Sequence, residues 1–151
     1  MTSHQTQHQG FSSGWTNQYI DIPFLDQGRT RDGLDCWGLV RLVYKEQLGI
    51  DLQSLSGRYE SAEDSETVSE LVEEQRSTMW FSVDTPEVGD VIVLNILGNE
   101  SHVGIRIDHR RMLHIMRGAN CCIQNLTRPG WKRRVSGHYR HWSREPVLSE
   151  S

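Results

Sequence analysis

The chain has 151 residues, a net charge of −4 with histidines neutral, 36% hydrophobic and 24% charged residues, which fits one domain with one core and excludes disordered and fibrous classes. The negative balance argues against nucleic acid as a partner, and no apolar run approaches the roughly 20 residues of a membrane span, so no membrane insertion is expected. Cys36, Cys121 and Cys122 are odd in number and make no disulfide framework, so reduced thiols are expected.

Residues 1–18, rich in Gln, Ser, Thr and His without periodicity, read as a flexible N-terminal arm, followed by a single domain over 19–145 and a tail at 146–151. The opening "MTSHQTQHQGFSSGW" has no apolar h-region, so synthesis in the cytoplasm without a signal peptide is expected. From Cys36, Leu39, Val40, Val43, Tyr44 and Leu48 recur at helical spacing, with Asp35 placed to cap the start and Gly49 to end it. A second helix is predicted from Ala62 to Arg76, with Ser61 and Asp64 at capping-box spacing and Val68, Leu71 and Val72 on its apolar face. After "DTPEVGD" the period becomes that of strands: "VIVLNIL", "HVGIRID", "RMLHIMR", "CCIQNL" and "RVSGHYRHW". Helices first and a strand meander second indicate an α+β domain with the early helix packed across an antiparallel sheet. Residues 60–75 hold seven acids and no base, and 128–144 hold six Arg or Lys and no acid; they read as an acidic surface helix and a basic tail strand at the sheet edge with Trp131, Tyr139 and Trp142 in aromatic packing, the alternatives being a partner surface for the charges and stacking of the aromatics on a sugar or partner.

Cys36 sits between an aspartate and a tryptophan at a helix start. The position gives two readings. A free cysteine is among the most buried residue types, whereas helix N-termini favour the thiolate, the nucleophilic form. A nucleophile needs a base. His4 and His8 lie in the arm, His109 in a turn, His138 and His141 in the basic tail, which leaves His102 and His114, each alternating with apolar residues and set on the less apolar face of its strand. A three-residue loop at Asp108, His109 and Arg110 would oppose Ile107 to Arg111 and Gly104 to His114, with His102 diagonal to His114 about 7 to 8 Å away. An even loop would separate the two rings to opposite faces. Gly104, lacking a side chain, leaves the space between them open. A zinc site at Cys121, Cys122 and His114 lacks ligand spacing.

The stretches "GLDCWGLVRLVYKEQLGIDL", "VGDVIVL", "HVGIRID" and "MLHI" resemble the NlpC-type cell-wall cysteine peptidases, a papain-like group, and within it the tail-associated branch of phages and gene-transfer particles. The resemblance runs from about Tyr19 to Trp142. It implies a helix packed on an antiparallel sheet of about five or six strands, with Cys36 as nucleophile, His102 as general base and acid, His114 as the residue that orients the base, and Asp35 as a capping or backbone-positioning carboxylate. No metal or cofactor is implied. Peptidoglycan stem peptides, cut beside γ-linked D-glutamate at diaminopimelate, are the implied substrates; other tail or tail-hub proteins are the implied partners, in a virion-associated particle acting on the periplasmic cell wall. Two departures stand out. Phe24 replaces the tyrosine whose hydroxyl serves the oxyanion in many members, leaving Tyr19 or the backbone N–H of Cys36 to do so; Trp37 replaces a common serine, as in the tail branch, and walls the cleft. A structural tail subunit that keeps the peptidase fold with weak or absent activity is the alternative.

Overall fold

The computed structural model describes residues 10–61 and 64–144. Ala62, residues 1–9 of the expected arm and the tail at 146–151 lie outside the described residues. The elements follow the predicted order, with additions the periodicity did not carry. A short ribbon, β1 (Arg29–Thr30) and β2 (Gly33–Leu34), leads into α1 (Cys36–Val43). Asp35 caps α1: its carboxylate accepts the Gly38 N–H at 2.9 Å, satisfying one of the donors that every helix start leaves open. A π-helical turn at Tyr44–Leu48 continues the helix, and Gly49 ends it in the left-handed conformation at φ 69°.

The second helix, α2 (Ser65–Thr78), begins just after Asp64, which stands at the N-cap itself, three residues past the predicted cap Ser61, and makes no side-chain capping bond. The Ser61 hydroxyl instead reaches Asp26 at 3.3 Å. Beyond α2 come β3 (Trp80–Ser82), β4 (Val91–Ile96), β5 (Asn99–Arg106), β6 (Arg111–Met116), β7 (Ala119–Asn125), a short α3 (Pro129–Lys132) and β8 (Val135–His141). β3 to β8 form one six-stranded sheet in the order β3-β8-β4-β5-β6-β7, every pairing antiparallel. The basic strand β8 is therefore internal rather than an edge, because the three-residue β3, too short to leave a periodic signal, pairs along its outer side.

The apolar side of α1 buries Leu39, Val40 and Val43 against Val103, Ile105, Leu113 and Ile115 of the sheet. Each such side chain contributes about 1.5–3 kcal/mol by leaving water, so this layer anchors the start of α1 to β5 and β6. Trp15 and Tyr19 belong to the same core, with Trp15 opening a 3₁₀ turn over Trp15–Gln18. Residues 10–18 are thus part of the domain and not of a flexible arm; their polar majority hides two aromatic anchors, Phe11 and Trp15, whose rings pack 4.6 Å apart. Gly38 shows why the helix start tolerates no larger residue: a Cβ there would lie 2.1 Å from the Gly28 carbonyl oxygen, where the β1 approach crosses the helix.

The opposite side of the sheet is covered as well. Ile92, Leu94, Met112 and Leu126 form a second cluster under Trp131 of α3 and Val135. The strand face that carries His102 and His114 is therefore as dry as the other, although its own sequence reads as the more polar one.

Candidate active site

Cys36 stands at the first turn of α1, and His102 and His114 come from neighbouring strands of the sheet. Ile107 opposes Arg111 through the Ile107 N–H to Arg111 carbonyl bond at 2.9 Å, and Arg106 and Ile105 pair with Met112 and Leu113. This is the register of a three-residue loop. Continued by one pair, it opposes Gly104 to His114, and a Cβ on Gly104 would lie 3.4 Å from that of His114 and 2.8 Å from the Met112 sulfur. The missing side chain leaves room for the diagonal contact: His102 Nε2 and His114 Nδ1 are 2.9 Å apart, with the rings edge to face at 77°. His102 Nδ1 is left for other partners.

Cys36 and His102 line one cavity of about 380 Å³, together with Phe24, Ser65, Ser101 and Arg117. That size falls within the roughly 300–1,000 Å³ typical of small-molecule sites. Consecutive residues Ser101 and His102 both reach it at a register shift of the β4–β5 ladder, which falls opposite Leu94 and Asn95; a bulge of this kind re-aims side chains that strict alternation would separate. On its other flank Cys36 borders a second, apolar pocket of about 60 Å³ under α2, walled by Trp37, Tyr59, Trp80 and Val103. It is the smaller of the two, and the larger cavity is the one that brings Cys36 and His102 to a common space.

The electrostatics differ from the expectation of a preformed thiolate. Cys36 is 7% exposed, and burial pushes its thiol up to about 12, with the Asp35 charge adding to the rise; the backbone N–H groups of Val103 and Trp37 and the Arg29 cation oppose it without prevailing. The helix start favours charge by about a kilocalorie, whereas desolvating a thiolate costs several times that. The resting sulfur is a thiol. Burial likewise pushes His102 down to about 3, with further repulsion from His114 and Arg134, and His114 down to about 4. His114 is 1% exposed; its Nε2 has no hydrogen-bond partner among the described residues, and the Trp131 ring covers it edge to face at 4.9 Å. The resting pair is neutral.

Asp35 is fully buried and receives the Gln27 N–H at 2.9 Å, Arg29 Nη1 at 2.8 Å and the Tyr59 hydroxyl in addition to its capping bond. It is a structural hub holding the β1 approach, the 50s loop and α1 together. Trp37 donates its indole N–H to the Gln53 carbonyl at 2.8 Å and packs on Trp80, so it walls the apolar pocket. Tyr19 does not reach the site: it is fully buried in the core, its hydroxyl donates to Glu46 at 2.7 Å and accepts from Gln47 at 3.1 Å. As a substitute for the hydroxyl missing at Phe24 it is excluded by those two partners. Phe24 itself lines the large cavity with its ring under the Arg117 guanidinium, 5.0 Å away. Cys121 is sealed in the core and Cys122 lies opposite His114 across β6 and β7. Tyr59, Ser101 and Arg117 are site residues that carry no signal in the sequence, being a loop tyrosine, a strand serine and a turn arginine with nothing periodic to single them out.

Residues 21–140 match the NlpC/P60 family. The chain belongs to the NlpC/P60 family, whose members are cysteine peptidases and hydrolases. It is 29% identical over 131 residues to Murein DD-endopeptidase MepS/Murein LD-carboxypeptidase of Escherichia coli, covering 85% of this chain and 62% of that protein. It is 29% identical over 142 residues to Gamma-DL-glutamyl hydrolase of Bacillus subtilis, covering 89% of this chain and 31% of that protein. The chain thus spans about three-fifths and one-third of the length of these relatives. Among solved structures, an NlpC/P60 family protein from Bacillus cereus aligns with TM-score 0.62 at 21% identity, covering 93% of this chain and 41% of that one. The NlpC/p60 domain of the peptidoglycan hydrolase SagA aligns with TM-score 0.57 at 19% identity, covering 82% and 90%. At these identities the structures establish the shared papain-like α+β fold.

Proposed function

We propose that the chain is a cysteine endopeptidase of peptidoglycan stem peptides, cutting the amide beside γ-linked D-glutamate at diaminopimelate, with Cys36 as nucleophile, His102 as base and acid, and His114 as the positioning residue. The observation that carries this reading is the Cys36 and His102 cavity backed by the His102 to His114 bond of 2.9 Å. The E. coli and B. subtilis relatives bear names of hydrolases acting at murein and at γ-linked glutamate, which supports the substrate class.

The chemistry follows from the neutral resting pair. His102 keeps a proton on Nε2, donated to His114 Nδ1, so its Nδ1 lone pair accepts the thiol proton as sulfur attacks the amide carbonyl. A new S–C bond forms and the carbonyl oxygen becomes an oxyanion, held by the Cys36 N–H at the start of α1, since Phe24 offers no hydroxyl. The imidazolium returns its proton to the departing amine as the C–N bond breaks. Water, deprotonated by the same Nδ1, then cleaves the thioester and restores the thiol. Throughout, His114 accepts the same hydrogen bond and holds the ring in one orientation. No metal or cofactor enters the scheme.

The setting proposed is a phage tail tip or gene-transfer particle, made in the host cytoplasm, docked to tail or tail-hub proteins and opening the periplasmic cell wall; the "DCWGLV" motif with its tryptophan supports it. One observation favours a second reading, a structural subunit of weak activity: Cys36 is buried in a cavity whose lining has Phe24, with no hydroxyl, where many relatives of this type have a tyrosine. Digestion of defined muropeptides followed by mass spectrometry separates the two. Release of new amino groups by the native chain and its loss in Cys36→Ala or Cys36→Ser is expected; equal release by native chain and variants would remove the enzymatic assignment.

A further inference from the structure

We infer that Leu97 is a specificity residue that receives hydrocarbon of the substrate at the mouth of the cavity shared by Cys36 and His102. The inference rests on the peptidase reading above for its substrate, and on the conformation and exposure of Leu97 for its chemistry. β4 and β5 are joined by a two-residue turn, Leu97 and Gly98, since Ile96 pairs with Asn99. Both turn residues have positive φ, 53° and 92°. That is the pattern Asn-Gly and Asp-Gly fill in tight hairpins, because a larger side chain crowds a left-handed backbone. Leu55 shares the conformation at φ 59° but buries its side chain in a cluster with Tyr59, Val68 and Leu71, so packing offsets the crowding. Leu97 is 97% exposed, the most exposed large apolar side chain among the described residues, and has no such offset from the fold.

A lone exposed leucine needs no explanation. One held in a disfavoured conformation on the lining of a reactive cavity does, since strain that packing does not offset gathers at functional sites. Leu97 lines the cavity of Cys36 and His102, with its neighbour Ile96 and, from the end of β6, Met116. The turn is fixed at two points: the Gly98 N–H donates to Asn95 Oδ1 at 2.9 Å, and Asn99 Nδ2 donates at 2.9 Å to the hydroxyl of Ser65, itself on the lining. An apolar tip fixed in this way loses little freedom when a ligand covers it. A substrate seated against Cys36 can then bury Leu97 in part, the burial that the free chain withholds. Stem peptides offer hydrocarbon on both sides of the amide proposed for cleavage, as the alanine methyl next to γ-linked D-glutamate and as the methylenes of diaminopimelate. Either group is of the chemistry that Leu97 recognises.

The test compares the native chain with Leu97→Asn and Leu97→Met in thermal denaturation and in muropeptide cleavage. Asparagine suits the left-handed turn, so Leu97→Asn is expected to raise the denaturation midpoint by about 2 to 4 °C while KM rises by about threefold to tenfold, as loss of part of one leucine's burial dictates, with kcat held. Leu97→Met, which restores an apolar side chain, is expected to recover most of the loss in KM. An unchanged KM in Leu97→Asn overturns the inference, and so does a lowered midpoint, which would show that the side chain serves the fold. A second arm uses stem peptides in which alanine is replaced by glycine, or diaminopimelate by a shorter diamino acid. The replacement whose KM penalty in the native chain disappears in Leu97→Asn names the group received; penalties that persist in full for both overturn the inference. Calorimetric binding of the same peptides in a Cys36→Ala background separates this inference from the peptidase reading. Peptides left intact by the native chain but bound more weakly after Leu97→Asn would sink the peptidase reading and leave the apolar contact standing; peptides cleaved with KM and affinity unmoved by Leu97→Asn would do the reverse.

Discussion

Acidification acts first on the two buried histidines, and the size of the effect follows from their burial. His102 and His114 are pushed from 6.5 down to about 3 and about 4 in the folded chain, while in the unfolded chain both return to 6.5. A group whose folded pKa is depressed leaves the folded state short of protons between the two values, so the stability it permits is complete above about pH 6.5 and is lost as pH falls toward 4. Each proton taken up only on unfolding costs about 1.4 kcal/mol per pH unit well below 6.5. Integrated from about pH 6.5 to pH 5, the pair accounts for a loss on the order of 3 kcal/mol, a large share of the 5–15 kcal/mol typical of a domain. His138 and His141 are lowered by burial too and add in the same direction. Urea denaturation at a series of pH values, compared between the native chain and the double variant His102→Gln plus His114→Gln, measures the term. The slope of stability against pH is expected to flatten in the double variant. A native chain with equal stability at pH 7 and pH 5, or a double variant with the native slope, would refute the picture of a neutral buried pair.

The same neutrality shapes turnover: kcat/KM should stay level from about pH 7 down to about pH 5 because the free base is already available there, and half-loss near 6.5 in a pH profile would contradict it. Asp35→Ala should lower stability by about 3–5 kcal/mol, seen as a fall in denaturation midpoint, because the Arg29 guanidinium is left buried without its partner; a loss under about 1 kcal/mol would show that the hub is not structural. Tyr19→Phe should cost about 1 kcal/mol by removing one buried hydrogen-bond set while muropeptide cleavage stays within about twofold, since the hydroxyl serves Glu46 and Gln47; a collapse of kcat would return Tyr19 to the site.

Much of this protein was legible in one dimension because its signals are periodic or local. The apolar stripe from Leu39 to Leu48, the Asp35 cap and the Gly49 stop involve neighbours within a turn, so the sequence alone determined the helix that presents Cys36. Strand alternation and an odd loop at 108–110 likewise determined that the imidazoles of His102 and His114 share a face, as a period of two leaves no other choice. Tertiary packing decided what those groups are chemically. A thiol that the helix start would favour as a thiolate is pushed toward its protonated form, and two imidazoles are pushed well below their usual range, because α2 and the Trp131 side of α3 take their water away, and those covering elements are brought there by the fold and not by neighbouring sequence. The same long-range assembly placed β3 outside β8, drew Trp15 into the core, bound Tyr19 away from the cavity and brought Arg117 over Phe24. None of these has a repeat or a neighbouring motif to announce it, because each depends on which surfaces remain exposed once the sheet has closed over the helix.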